Sequence, residues 1–255
     1  GGRDAAQVPP PQAQWTGKLW NTVQWLEGRP QGAAEEAVRI MGPYGIMPYT
    51  VDAHKAVMLI GAGVGFPSTG SMLRKLLHDN LDPGREPKAV CFIWTATNMD
   101  QLCLCFPSLM TYLAEYVHER GIKSLQKWLT VKIFISNFEA DDFLDVNPGE
   151  LLFPGQKQMQ ASLCEVRQWL LGRDMNTRRG HSFDEDGTYI AQGSLGANFC
   201  DILQHSVFID KVVGKRSSLG ICFCGPAELA KWIRSEISAT VFPCRVEFAQ
   251  EATAS

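Results

Sequence analysis

Residues 55–73 read KAVMLIGAGVGFPSTGSML, a short apolar run, then glycine at every second position, then apolar residues at helical spacing. Ala56 to Ile60 is too short for a helix and almost wholly apolar, the composition of a central parallel strand covered on both faces. Met72, Leu73, Leu76 and Leu77 share one face of a helix. Between these elements Gly61, Gly63 and Gly65 permit positive φ and carry no Cβ to hold a ligand away from the main chain. A helix starting there points unpaired N–H groups and the positive end of its dipole at the loop, a setting that favours an anion. The pattern predicts a strand, loop and helix laid against the pyrophosphate of a dinucleotide. The spacing is G-x-G-x-G rather than G-x-G-x-x-G, and no acidic residue closes the second strand. A plain strand-to-helix turn is therefore the alternative for this segment alone.

Working outward, Ala89 to Trp94 (AVCFIW) is a second apolar run. Leu109, Tyr112, Leu113, Tyr116 and Val117 then repeat at helical spacing until Gly121 stops the helix. Val131 to Ser136 (VKIFIS) is a third strand, and the alternation of strand and helix predicts parallel pairing. The rhythm breaks at about 140–195, where a helix at 159–171 and the polar stretch RDMNTRRGHSFDEDG suggest a surface insertion without strands. Gly220 to Phe223 resumes as a fourth strand entering Cys224-Gly225-Pro226. A helix from Ala227 to Ile237 and a run from Cys244 to Phe248 complete the pattern. The predicted fold is α/β: a three-layer Rossmann-like module with a five-stranded parallel sheet ordered 3-2-1-4-5.

The chain has 255 residues, 45% of them hydrophobic and 20% charged, with a net charge of -3. Its 24 Lys and Arg are outnumbered by 27 Asp and Glu and form no basic run, which argues against a nucleic-acid partner. No apolar stretch reaches the roughly 18 residues of a membrane span, so direct membrane insertion is not expected. The eight cysteines lie mostly in strand-like runs and are expected to be reduced and buried. Cys103 and Cys105 form C-x-C without a histidine-rich partner, so no metal site is expected. Asp184-Glu185-Asp186-Gly187 resembles part of a calcium loop, but the register puts Ser182 first and Gly193 last, where Asp and Glu are required.

Five short motifs occur in order: Trp15-Thr16-x-x-Leu19, Gly42-Pro43-Tyr44-Gly45, the Gly61 to Gly65 loop, Trp94 at the end of the second strand, and Cys224-Gly225-Pro226. From about residue 15 to 251, apart from the insertion at about 140–195, the chain resembles the C-terminal dehydrogenase half of the NADPH oxidase and ferric reductase family, within the ferredoxin–NADP reductase superfamily. Residues 1–14, rich in Gly, Pro and Gln without periodicity, read as a disordered tail, and the resemblance implies the end of an FAD-binding β-barrel at 15–45 and an NAD(P)H-binding domain at 46–255. It implies that Gly42, Pro43, Tyr44 and Gly45 form the turn leaving the flavin barrel. Gly61, Gly63 and Gly65 would lie under the pyrophosphate, with the hydroxyl of Ser68 or Thr69 upon it. Thr97 would lie near the adenosine ribose. Cys224 would stand beside the nicotinamide, with Gly225 and Pro226 letting the ring approach. Hydride then passes from nicotinamide to flavin, and the protein supplies distance, orientation and a dry site. Haem in the intact parent would carry electrons to oxygen or ferric iron. The implied partners are the parent's FAD-binding domain and transmembrane haem domain. The implied location is the cytosolic side of a membrane, with this part itself soluble.

The chain also departs from the family. The flavin-holding barrel motif is absent, and Met47-Pro48-Tyr49-Thr50 follows the Gly42–Gly45 turn instead of preceding it. Pro67 and Ser68 stand where Thr-Pro is expected, and Thr97 stands where the oxidases place an Arg for the 2′-phosphate. No Arg occurs in the eight residues before Phe199. Loss of such arginines weakens a preference for NADPH. Arg178, Arg179, Lys215 or Arg216 are candidate substitutes, and NADPH stays the expected nucleotide with NADH as the alternative. The terminal aromatic that covers the flavin is missing after Phe248-Ala249-Gln250-Glu251. These losses define a second reading, a degenerate regulatory domain that keeps the fold without turnover. A short-chain dehydrogenase is excluded, because no Tyr from Tyr44 through Tyr189 is followed by Lys four residues on.

Overall fold

The computed structural model describes residues 49–84, 87–136, 159–171, 189–192, 195, 199, 202–203 and 218–252. The chain divides after Ile46, and every described residue belongs to the unit Met47–Ser255. The Gly42–Gly45 turn and the other motifs before it lie outside the described residues, as does most of the segment 140–195.

After a short helix α1 (Tyr49–Ala53), strand β1 (Ala56–Ala62) leads through a 3-10 turn at Gly63–Gly65 into α2 (Phe66–Asp79). Strand β2 (Ala89–Ala96), helix α3 (Met99–Arg120), the single turn α4 (Ile122–Leu125) and β3 (Leu129–Ile135) follow. Then come α5 (Gln160–Leu171), β4 (Tyr189–Gln192), β5 (Ser218–Gly225), α6 (Ala227–Ala239) and β6 (Arg245–Ala252). All strand pairs are parallel, in the order β4-β3-β2-β1-β5-β6. The five strands expected from sequence stand in the expected order.

The sixth strand, β4, corrects the expectation that 140–195 holds no strand. Its four residues pair with β3 alone, from Lys132 opposite Tyr189 to Ile135 opposite Gln192. So short an edge strand gives little sequence signal, because it needs to match only one neighbour.

Period-two alternation divides the sheet's apolar residues between two layers. Val57, Leu59, Phe92, Trp94 and Ile133 face the apolar stripe of α2 with α3 and α5. Met58, Ile60, Ile93, Phe134, Ile221 and Phe223 face Ala230 and Ile233 of α6, together with the helical residues Leu195 and Phe199. Leu73 and Leu76 of α2 are fully buried, and each such side chain contributes about 1.5–3 kcal/mol. Helix α3 begins where the Asn98 side chain accepts from the Gln101 main-chain N–H and ends at Gly121, whose φ of 77° suits glycine alone. Lys88 closes α1 by donating from Nζ to the carbonyl oxygens of Val51, Asp52 and His54 at 2.7–3.0 Å. That places Lys88, at the entry to β2, against the segment entering β1. Among the described residues no helix is long and apolar enough to cross a membrane.

Candidate functional site

Strand β1 lies between β2 and β5, and the chain runs outward from it to β2, β3 and β4 before crossing back to β5. The helix after β1 packs on one face of the sheet and the helix after β5 on the other. Between the two loops, at the carboxyl edge, such a switch of direction leaves a crevice in which ligands of open α/β sheets bind. The glycine loop follows β1 and Cys224-Gly225-Pro226 closes β5, so both stand at the carboxyl ends of the two strands beside that switch.

The three glycines have different reasons to be glycine. Gly61 lies within β1, opposite Trp94 of β2 and Cys224 of β5, and a Cβ on it would meet Thr69 Oγ1 at 2.6 Å. It lets α2 pack directly on the strand. Gly63 has φ +53°, the left-handed region. Its carbonyl accepts from Trp94 Nε1 at 3.4 Å, and its missing Cβ would face only the Gln101 amide, at 3.6–4.0 Å. Gly65 has no room for a side chain because the main chain of Cys224 lies against it. Gly225 is similarly confined, since its Cβ would meet the Ala62 Cβ at 2.7 Å. The protein's own packing therefore fixes Gly61, Gly65 and Gly225, while Gly63 is fixed by its turn.

The two candidate hydroxyls part company. Thr69 is fully buried and donates to the carbonyls of Gly65 at 3.1 Å or Phe66 at 3.3 Å, so it holds the loop to the helix. Ser68 is half-buried at the mouth and donates to the Glu251 carboxylate. Glu251 stands opposite Cys224 in the pairing of β6 with β5. Burial pushes the Cys224 thiol up, the Glu251 carboxylate pushes it further, and a hydrogen bond from Ser68 pulls the other way. The thiol is thus held neutral, suited to a close contact with a flat ring rather than to nucleophilic attack.

The start of α2 offers fewer main-chain donors than a helix start ordinarily does. The Phe66 N–H bonds to Gly63 O, and Pro67 has none. An anion here would depend correspondingly more on the Ser68 hydroxyl. Val64, at the tip of the loop, is 76% exposed. Across β1, Thr97 is exposed at the end of β2, and its main-chain N–H donates to Gln101 Oε1 at 2.9 Å. Pro226 is exposed and opens α6.

Gly61, Gly63, Gly65, Ser68, Thr69, Cys224, Gly225 and Pro226 are therefore gathered around one edge, with Thr97 at the neighbouring strand end. Because Cβ atoms on Gly61, Gly65 and Gly225 would strike the protein's own atoms, Gly63 is the glycine of this group whose bare main chain a ligand could approach, and Ser68 is the candidate donor beside the Gly65–Phe66 junction. Gln101 and Glu251 escaped the sequence reading. Glu251 was legible in principle, since extending β6 in register with β5 brings it to Cys224, whereas the local signal at Gln101, Asn98-x-x-Gln101, marks only a helix start. Six cysteines among the described residues are free thiols, with Cys91, Cys222 and Cys224 buried but Cys164 exposed, contrary to expectation.

No protein-family model matches the chain, and no curated protein matches it.

Proposed function

We propose that the chain is the NAD(P)H-binding lobe of a flavin-dependent oxidoreductase of the NADPH oxidase and ferric reductase type. The observation that carries this reading is the meeting of the Gly63–Gly65 turn with Cys224 at the switch point of the sheet. A bound dinucleotide would supply the hydride for FAD held by an upstream domain, with haem in the intact parent as the onward carrier to oxygen or ferric iron. The chain's own part is to seat the pyrophosphate on the glycine turn and Ser68, and to lay the nicotinamide against Cys224, Gly225 and Pro226. No general acid or base is needed for that transfer.

The test is thermal melting of the chain with NADPH and with NADH, wild type against Gly63→Val. The reading expects a shift of a few degrees at saturating nucleotide, abolished by valine, which cannot easily hold φ +53°. If neither nucleotide shifts the wild-type melt, the reading fails. One observation favours the second reading, a non-catalytic regulatory domain: Ser68 already serves Glu251, and two donors of the first turn of α2 are unavailable. That domain would melt identically with and without nucleotide.

A further inference from the structure

Gln101 stands in the first turn of α3 and is held at both ends by the turn that follows β2. Its main-chain N–H donates to Asn98 Oδ1 at 3.1 Å, and its side-chain Oε1 accepts from the Thr97 N–H at 2.9 Å. The amide also lies 3.6–4.0 Å from the place a Gly63 Cβ would take. It therefore fills the space between the end of β2 and the glycine turn. That space is on the opposite side of β1 from Cys224, because β2 and β5 flank β1. A dinucleotide with its nicotinamide on Cys224 and its diphosphate on the glycine turn would bring its adenosine ribose there.

The Thr97 N–H settles which way the amide points, since only Oε1 can accept it. Nε2 then presents its donors, a match for a neutral ribose hydroxyl. A 2′-phosphate is different, carrying close to two negative charges that call for arginine or lysine. The stretch Trp94–Gln101 holds neither, and it does hold Asp100. We infer that Gln101 reads the adenosine ribose and makes this crevice selective for a dinucleotide with a free 2′-hydroxyl, NADH rather than NADPH. The inference rests on the dinucleotide reading above and deepens it.

The experiment titrates the full chain with NADH and NADPH for wild type, Gln101→Ala and Gln101→Arg, with melts of the unliganded variants as the check on folding. The wild type is expected to bind NADH about tenfold or more tightly than NADPH, the scale of one charge-assisted contact. Gln101→Arg cancels or reverses that ratio by gaining NADPH, and Gln101→Ala weakens NADH several-fold while leaving NADPH nearly unaltered. A wild type that binds NADPH as well as NADH overturns the role of Gln101 and leaves the dinucleotide reading standing. So does a folded arginine variant with the wild-type ratio. Binding of neither nucleotide overturns both.

Discussion

A Cβ placed on Gly65 would lie 2.6 Å from the carbonyl carbon of Cys224 and overlap its oxygen, so the glycine turn and β5 touch main chain to main chain. Neither side can yield without moving a buried strand, because β5 is held between β1 and β6. Gly65→Ala is expected to cost about 3 kcal/mol or more in urea unfolding, as overpacking against rigid backbone does. Gly84→Ala, where the nearest atom to a new Cβ is Asp82 Oδ1 at 3.3 Å, is the comparison and should stay within about 0.5 kcal/mol of wild type. Equal losses in the two variants would refute the contact.

Glu251 places a negative charge on the hydroxyl that a diphosphate would use. Glu251→Gln removes the charge while keeping an acceptor for Ser68. Dinucleotide binding should tighten roughly three- to fivefold in low salt, and the gain should shrink as salt screens the exposed charge. Unchanged or weaker binding in the variant would contradict this account of the mouth.

The Cys224 thiol, pushed up by burial and by Glu251, is protonated near neutral pH, whereas Cys164 is exposed on α5. Iodoacetamide at pH 8, read by peptide mass spectrometry, should modify Cys164 well before Cys224, since the thiolate is the nucleophile. Saturating nucleotide should slow Cys224 further and leave Cys164 alone. Faster labelling of Cys224 would show an activated thiol instead.

Burial pushes Cys91 up to about 11, against a smaller opposing pull from the Lys132 charge. An unfolded thiol ionises near about 8.5, so between these values only the unfolded chain releases the proton. Stability from this group is complete below the lower value and is lost as pH rises through the upper one. Lys132 acts in the opposite sense, because burial lowers its pKa and the unfolded ammonium keeps its proton longer. Wild type should therefore lose up to about 3 kcal/mol relative to Cys91→Ala between pH 8 and 11. A pH-independent difference between the two would dispose of the effect.

Much of the sheet was legible because its strands are buried on both faces, so AVMLI, AVCFIW and VKIFIS announce themselves without reference to their neighbours. The limits of those runs were less visible. Gly61 reads as loop in the sequence and is strand in the structure, since its contact with Thr69 is made by a helix eight residues on. Strand β6 continues past Phe248 to Ala252; Gln250 and Glu251 there are exposed and are placed by register with β5 rather than by burial. The same register brings Glu251 to Cys224. Gln101 was illegible because its partners, Thr97 and Gly63, meet only after β1 and β2 have paired. Thr69 stood beside Ser68 as a candidate pyrophosphate donor because the sequence does not reveal that this threonine is fully buried and gives its hydroxyl to the carbonyls of its own turn.

The abutment of Gly65 on Cys224 divides the crevice into two kinds of material. At position 65 the floor is set by the peptide chain alone, and no other amino acid can be tried there without reshaping the site. At position 224 the main chain and Cβ make that contact, so a side chain no larger than the buried thiol can replace it while the floor stays in place. A designer seeking new chemistry in this scaffold would vary 224 only among small side chains and leave 65 untouched.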